Sequence, residues 1–156
     1  MTEKERQLIL QDLYARLPYG VKILHQSWNY EWDQELSTVE KVTGIDERFI
    51  YTKVIDTHNG EEYRDDKWPI DTFNDKPYLF PLSSMSEEQK KEYRDIISPA
   101  LIASIEEVDE DENNFPSLIS IAPDVVSIDW CNKNHFDYRG LIPKGLAIDC
   151  TNLNIY

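Results

Sequence analysis

The Asn59-Gly60 pair is the sequence feature that most constrains the fold, because it lies between two stretches typical of β-strands. These two residues can supply the positive φ angles of a type I′ turn, whose twist matches that of the flanking strands. We therefore predict that residues 49–57 pair antiparallel with residues 61–64. Two earlier β-rich stretches extend the predicted antiparallel sheet, at 19–28 and 35–42.

Turns and connections are predicted on both sides of this hairpin. The sequence TGID at 43–46 predicts a turn between the second and third β-rich stretches. Residues 65–82 are rich in proline, aspartate and lysine, which interrupt both helical and strand periodicity. We predict a long connection or an edge strand for them.

Two helices have clear boundary residues. Apolar side chains recur near helical spacing over residues 2–16, and Pro18 with Gly20 ends that run. A second helix begins after either Ser84 or Ser86, because each stands three residues before a side chain that can complete a capping box.

Further elements are expected in the second half of the chain. Residues 99–108 form either a helix or a buried strand, and a last helix begins near Pro123 and can end with Asn134 in the left-handed conformation. The fold class is therefore α+β, a small antiparallel sheet of about four strands with about four helices on one side. We expect residues 1–156 to form a single domain with one core.

The charge balance excludes several classes of partner. Among 156 residues, 30 are acidic and 16 are basic, which gives a net charge of −14. Unassisted binding to nucleic acid or to an anionic membrane needs a cationic surface, so we expect neither. No signal peptide and no apolar run of membrane-spanning length is present, and we predict a cytoplasmic protein.

An acidic run at 106–114 packs carboxylates so densely that they repel one another, and we predict an exposed loop there. Asp109, Asp111 and Asn113 match the first ligand positions of an EF-hand calcium loop. The sixth and twelfth positions, however, are Asn and Ser in place of the required Gly and Glu. We therefore predict no dedicated metal site and no cofactor.

The two cysteines, Cys131 and Cys150, are too few for a disulfide framework and too far apart for a CxxC pair, so we predict reduced thiols. Cys131 and His135 have a spacing that could serve one zinc ion. We favour a different role for His135, as an imidazolium that caps the predicted helix end.

His135, Asp137, Tyr138 and Arg139 are the only dense group of side chains that can move protons. Asp137 could orient the His135 imidazole as a general base, and these two residues are the weak catalytic candidates. On an extended segment they share one face, with Phe136 and Tyr138 on the other, which favours a structural aromatic pair.

Several aromatic side chains lie among charged residues instead of on clear core faces: Trp28, Tyr30, Trp32 and Trp68. Aromatic residues near a surface often anchor protein partners. The first three also alternate along one predicted strand, so a buried aromatic face is an equal alternative.

Three blocks carry a family resemblance: YGVKI at 19–23, KPYLFPLSSMSEEQKKEYRD at 76–95 and DWCNKNHFDYRGLIPKGLA at 129–147. They resemble a family of short acidic proteins from gut bacteria, their phages and mobile elements, and cover roughly a third of the chain. That family carries no assigned catalytic residues or ligand, so the resemblance implies a cytosolic accessory domain. The chain departs from the family pattern between 96 and 122 and in its last residues, TNLNIY.

Three functions follow as hypotheses. The first is a non-catalytic protein-interaction module whose aromatic sheet face or acidic loop contacts an unknown protein partner. The second is a phage-type antagonist that imitates DNA with its carboxylates. The third is a small hydrolase or transferase that uses His135 with Asp137.

Overall fold

The computed structural model describes residues 1–29, 33–56, 59–96 and 125–156. Within these ranges lie three α-helices: α1 (Glu3–Arg16), α2 (Glu87–Ile96) and α3 (Val125–Lys133). The strands are β1 (Lys22–Asn29), β2 (Gln34–Ile45), β3 (Phe49–Ile55), β4 (Glu62–Pro69), β5 (Lys76–Leu79) and β6 (Ile148–Asp149). The α+β class is confirmed. The predicted 99–108 element and the 106–114 loop lie outside the described residues.

The six strands form one sheet in the order β4-β3-β2-β1-β5-β6. Every pair is antiparallel except β5 with β6, which is parallel. We predicted about four strands in a purely antiparallel sheet. The sheet instead has six strands, and one pair is parallel. Residues 65–82, predicted as a long connection or an edge strand, contain the end of the edge strand β4 and the whole of β5, which lies inside the sheet. Strand β6 was missed because two residues carry little periodicity.

The predicted hairpin of β3 and β4 is present, but its turn differs. Gly60 has a φ of 76°, but Asp56 and Glu61 close the turn, so it is longer than the predicted two-residue turn. The amide of Asp56 donates to the carbonyl of Glu61, and the amide of Gly60 donates back to Asp56, which closes a longer loop. Asn59 accepts the Glu61 amide through its side chain at 2.9 Å, as Asx residues do in turns.

The turn predicted at 43–46 lies further along the chain. Strand β2 continues to Ile45, with a register shift between Val42 and Gly44 where it pairs with β3. The Asp46 carboxylate then accepts the amides of Arg48 and Phe49, both at 2.7 Å. This side-chain cap makes the turn.

Alternate residues of the sheet define two faces. The face toward α1, called the helix face, carries the buried residues Ile23, Glu40, Val42, Ile50, Thr52 and Val54. The opposite face is called the open face. Helix α1 packs Ile9, Leu10 and Leu13 against the helix face, and its first turn is closed by a capping box between Thr2 and Glu5.

A second apolar cluster joins the other two helices: Met85, Tyr93, Trp130, Cys131 and Phe136. The rings of Trp130 and Phe136 stack with centroids 5.5 Å apart, and Tyr93 meets Trp130 edge-on. Helix α2 begins at Ser86, whose capping bonds with Gln89 decide between the two predicted starts. Among the described residues, this cluster is distinct from the one under α1.

The end of α3 is a Schellman motif in which His135, not Asn134, adopts the left-handed conformation, with a φ of 57°. The amide of Phe136 donates to the carbonyl of Cys131 at 2.9 Å, and that of His135 donates to Asn132 at 3.2 Å. The predicted left-handed residue was therefore wrong by one position.

Arg16, the last residue of α1, connects the two clusters and has no exposed surface. Its Nε donates to Asp12 at 2.8 Å, and its two terminal nitrogens donate to the carbonyls of Cys131 at 3.2 Å and Phe136 at 2.8 Å. Asp12 is also fully buried. The guanidinium thus binds the end of α1 to the end of α3.

We expect Arg16→Met to lower the free energy of unfolding by about 3–5 kcal/mol, because the buried Asp12 carboxylate loses its nearer counter-charge and keeps only Arg139, whose Nε lies 3.4 Å away. Chemical denaturation measures this loss. The exposed Arg48→Met, which removes the same charge, should cost at most about 1 kcal/mol. Equal losses in the two variants would contradict the role assigned to Arg16.

Candidate functional site

Trp68, predicted to contact a partner, lies on the helix face and makes internal contacts. Its indole ring stacks on the His25 imidazole with centroids 3.7 Å apart and planes 17° apart. Its Nε1 donates to the Glu40 carboxylate at 2.8 Å. The half-buried ring therefore covers a polar part of the sheet.

Glu40 is the centre of this polar cluster, which we define as His25, Glu40, Trp68 and Asp75. The Glu40 side chain has no exposed surface, and it accepts hydrogen bonds from the Thr38 hydroxyl at 2.9 Å and the Thr52 hydroxyl at 2.6 Å as well as from Trp68. A buried carboxylate with three donors is well satisfied, and it orders the residues that donate to it.

His25 is held between Trp68 and Asp75. Its Nδ1 lies 2.9 Å from the Asp75 carboxylate, and its Nε2 is buried without a hydrogen-bond partner among the described residues. Burial alone would lower the pKa of His25, but the Asp75 hydrogen bond and the charges of Asp75, Glu40 and Asp66 together raise it above 6.5. Sequence reasoning missed this cluster because its members come from four separate segments.

His135 and Asp137 are both buried, but they are not paired with each other. The two carboxylate oxygens of Asp137 accept the amides of Leu141 at 2.8 Å and Ile142 at 2.7 Å. The His135 ring instead stacks on Tyr156, with centroids 3.9 Å apart. Asp137 therefore fixes a turn, and the structure gives His135 no orienting carboxylate within ion-pair distance among the described residues.

The imidazolium cap predicted for His135 is wrong. Burial, with smaller effects from the positive charges of Arg16 and Lys22, lowers the pKa of His135 to about 4, so its ring is neutral at pH 7. Burial likewise raises the pKa of the Cys131 and Cys150 thiols to about 12. Both thiols are thus protonated and poor nucleophiles at neutral pH.

The other predicted binding aromatics cannot be placed. Tyr30 and Trp32 lie outside the described residues, and Trp28 is described only as a backbone position in β1. In the part of the chain that the structure describes, no group of three His, Cys, Asp or Glu side chains could hold a metal ion. No described helix is long and apolar enough to cross a membrane.

The open face carries two rows of side chains that run across the strands. The register of β1, β2 and β3 places Lys22, Lys41 and Lys53 directly opposite one another, a set that we call the lysine row. Beside it, the same register aligns Leu24, Val39 and Ile55, which we call the apolar row. The two described apolar clusters contain neither row, so the described helices pack elsewhere.

Like charges directly opposite one another destabilise a sheet, so the lysine row has an electrostatic cost. Glu62 of β4 offsets part of it, because its carboxylate lies 2.8 Å from Lys41 Nζ and 3.3 Å from Lys53 Nζ. Hydrogen bonds from Lys41 and then Lys53 lower the pKa of Glu62. Burial, and then the charge of Lys41, lower the pKa of Lys22.

A cleft of about 530 Å³ opens beside the lysine row. Lys22, Lys41 and Ile55 line it, with Glu62 on one side and Tyr156 on the other. The Tyr156 hydroxyl fixes that wall, because it accepts the Lys22 amide at 3.1 Å and donates to the Tyr78 carbonyl at 3.0 Å. The cleft therefore combines two ammonium groups, an apolar side chain and an aromatic wall.

Comparisons with protein-family models, with curated proteins and with solved structures find no match to this chain. The candidate site is therefore inferred from the geometry of this chain alone, and the family resemblance described from the sequence stays a prediction.

We expect an NMR titration to show that the pKa values of the two described histidines are shifted in opposite directions. His25 should have a midpoint above 6.5 and His135 a midpoint near 4. The contribution of His25 to stability is then present below pH 6.5 and is lost as the pH rises through its folded midpoint. His135, in contrast, destabilises the fold as the pH falls below 6.5.

Asp75→Asn is the matched variant, since it removes the carboxylate beside His25 and leaves the surroundings of His135 intact. The His25 midpoint should fall and the His135 midpoint should not move. A His25 midpoint that stays the same in this variant would show that Asp75 does not stabilise the imidazolium.

Proposed function

We propose that the chain is a non-catalytic protein-interaction module, and that its open face binds an acidic segment of a partner protein. The observation that carries this proposal is the lysine row, in which the strand register aligns three lysines on a protein of net charge −14. The ammonium groups of Lys41 and Lys53 share the Glu62 carboxylate, and that of Lys22 donates to the Ile155 carbonyl. Such a concentration of one charge attracts the opposite charge and orients an encounter.

The apolar row supplies the second part of the proposed contact surface. Leu24 and Val39 are half-buried, and Ile55, the third residue of the apolar row, also lines the cleft. Interfaces combine an apolar centre with charged residues around it, and two neighbouring rows of this kind fit that pattern. An acidic segment with some apolar side chains is therefore the partner chemistry that the face suits best.

The other reactive side chains make contacts with groups inside the protein, which also supports a binding role. Asp137 fixes a turn, His135 is neutral under Tyr156, and Trp68 and Glu40 bind each other on the helix face. The cytosolic location and the resemblance to an accessory family are compatible with this role and remain part of the proposal.

The two alternative functions stay predictions with less support. The DNA-imitating antagonist depends on the net charge of −14 and on closely spaced carboxylates, and the densest run of these, at 106–114, lies outside the described residues. The hydrolase or transferase depends on a pair, His135 with Asp137, whose side chains bind different groups.

The double variant Lys41→Gln/Lys53→Gln tests the proposal, with the immobilised protein used to capture partners from a bacterial lysate. We expect a stoichiometric partner to bind the wild-type protein. The variant should capture about tenfold less of this partner, or less still, because two charges opposite the acidic segment are removed. Quantitative mass spectrometry measures the ratio.

Lys91→Gln/Lys133→Gln is the matched control, since it removes the same charge from exposed positions on α2 and α3. This control should retain the partner. Equal capture by both double variants, or loss from both, would contradict the assignment of binding to the open face.

A further inference from the structure

We propose that Glu62 occupies a carboxylate-binding site between Lys41 and Lys53, and that a side-chain carboxylate of the partner takes its place on binding. This inference rests on the proposed function and names the anchor point on the open face. The ligand class is a side-chain carboxylate of an acidic protein segment.

The geometry of the three side chains supports an occupied site. One Glu62 oxygen lies 2.8 Å from Lys41 Nζ, and the other lies 3.3 Å from Lys53 Nζ, so the carboxylate bridges two neighbouring strands. Its two partners are adjacent members of the lysine row. A carboxylate from outside can make the same two contacts if Glu62 rotates away.

The exposure of these side chains makes such an exchange feasible. The lysines are 39% and 40% exposed and Glu62 is 32% exposed, so none of the three charges is sealed from water. Exposed ion pairs of this kind contribute little net free energy, because water competes for both partners. Replacing one carboxylate with another therefore costs little.

The cleft gives the incoming side chain a route to the lysines. Glu62 and Lys41 both line it, and Gly60 beside them leaves open space where a side chain would stand. Tyr156 forms the opposite wall. A partner side chain can enter this space and reach Lys41 without moving the strands.

The experiment compares Glu62→Gln with its neighbour Glu61→Gln. Both variants remove one negative charge from adjacent positions, but the Glu61 side chain accepts a hydrogen bond from Asn59 and forms no ion pair with a lysine of the described residues. The probe is a blocked hexaglutamate peptide, titrated at neutral pH and low salt into ¹⁵N-labelled protein, with amide shifts in β2 and β3 as the readout.

We expect Glu62→Gln to bind the peptide about threefold more tightly than Glu61→Gln, because only the first variant removes the carboxylate that Lys41 and Lys53 share, and Lys53 then keeps only the more distant Asp65 at 3.9 Å. The gain should disappear at about 1 M salt, where charges separated by more than a few ångströms are screened. Equal affinities of the two variants, or shifts confined to other elements, would overturn the exchange site.

Inorganic phosphate is the second probe, since lysine ammonium groups attract any anion. If Glu62→Gln binds phosphate more tightly than the peptide at equal ionic strength, the assigned ligand class is wrong. These outcomes are separable from the capture experiment, which depends on Lys41 and Lys53 whether or not Glu62 exchanges.

Discussion

The buried guanidinium of Arg16 is the interaction on which the rest of the structure depends. It ends α1, is held by Asp12, and binds the carbonyls of Cys131 and Phe136 at the end of α3. The planar, five-donor guanidinium suits this position, because it can serve three acceptors in fixed directions. The first apolar cluster, under α1, is thereby joined to the second, under α2 and α3.

This arrangement leaves the two faces of the sheet with different roles. On the helix face, charged groups are matched internally, as Glu40 is by three donors and His25 by Asp75. On the open face, Glu62 bridges Lys41 and Lys53, Asp65 lies 3.9 Å from Lys53 Nζ, and the Lys22 ammonium donates to the Ile155 carbonyl. Lys41 and Lys53 nevertheless stay in contact with water, and these partly matched charges beside half-buried apolar residues are the physical basis for proposing the binding surface there.

The sequence predicted those elements whose signals are local. The extent of α1 follows from the helical spacing of its apolar residues and from the Pro18-Gly20 stop, and the β3–β4 pairing follows from the β-rich stretches around Gly60. The candidate site was not predictable in the same way. The lysine row exists only because three strands pair in one register, and β-strand register depends on the whole sheet. The same reason explains why Trp68 was expected at a surface and is found against Glu40.

Zero-length carbodiimide cross-linking, which joins a lysine amine to a carboxylate that touches it, tests the central claim most directly. Applied to the complex of the wild-type protein with its captured partner, it should link Lys22, Lys41 or Lys53 to acidic residues of the partner, as identified by mass spectrometry. Links formed through Lys91 or Lys133 on the helices, with none from the lysine row, would contradict the account.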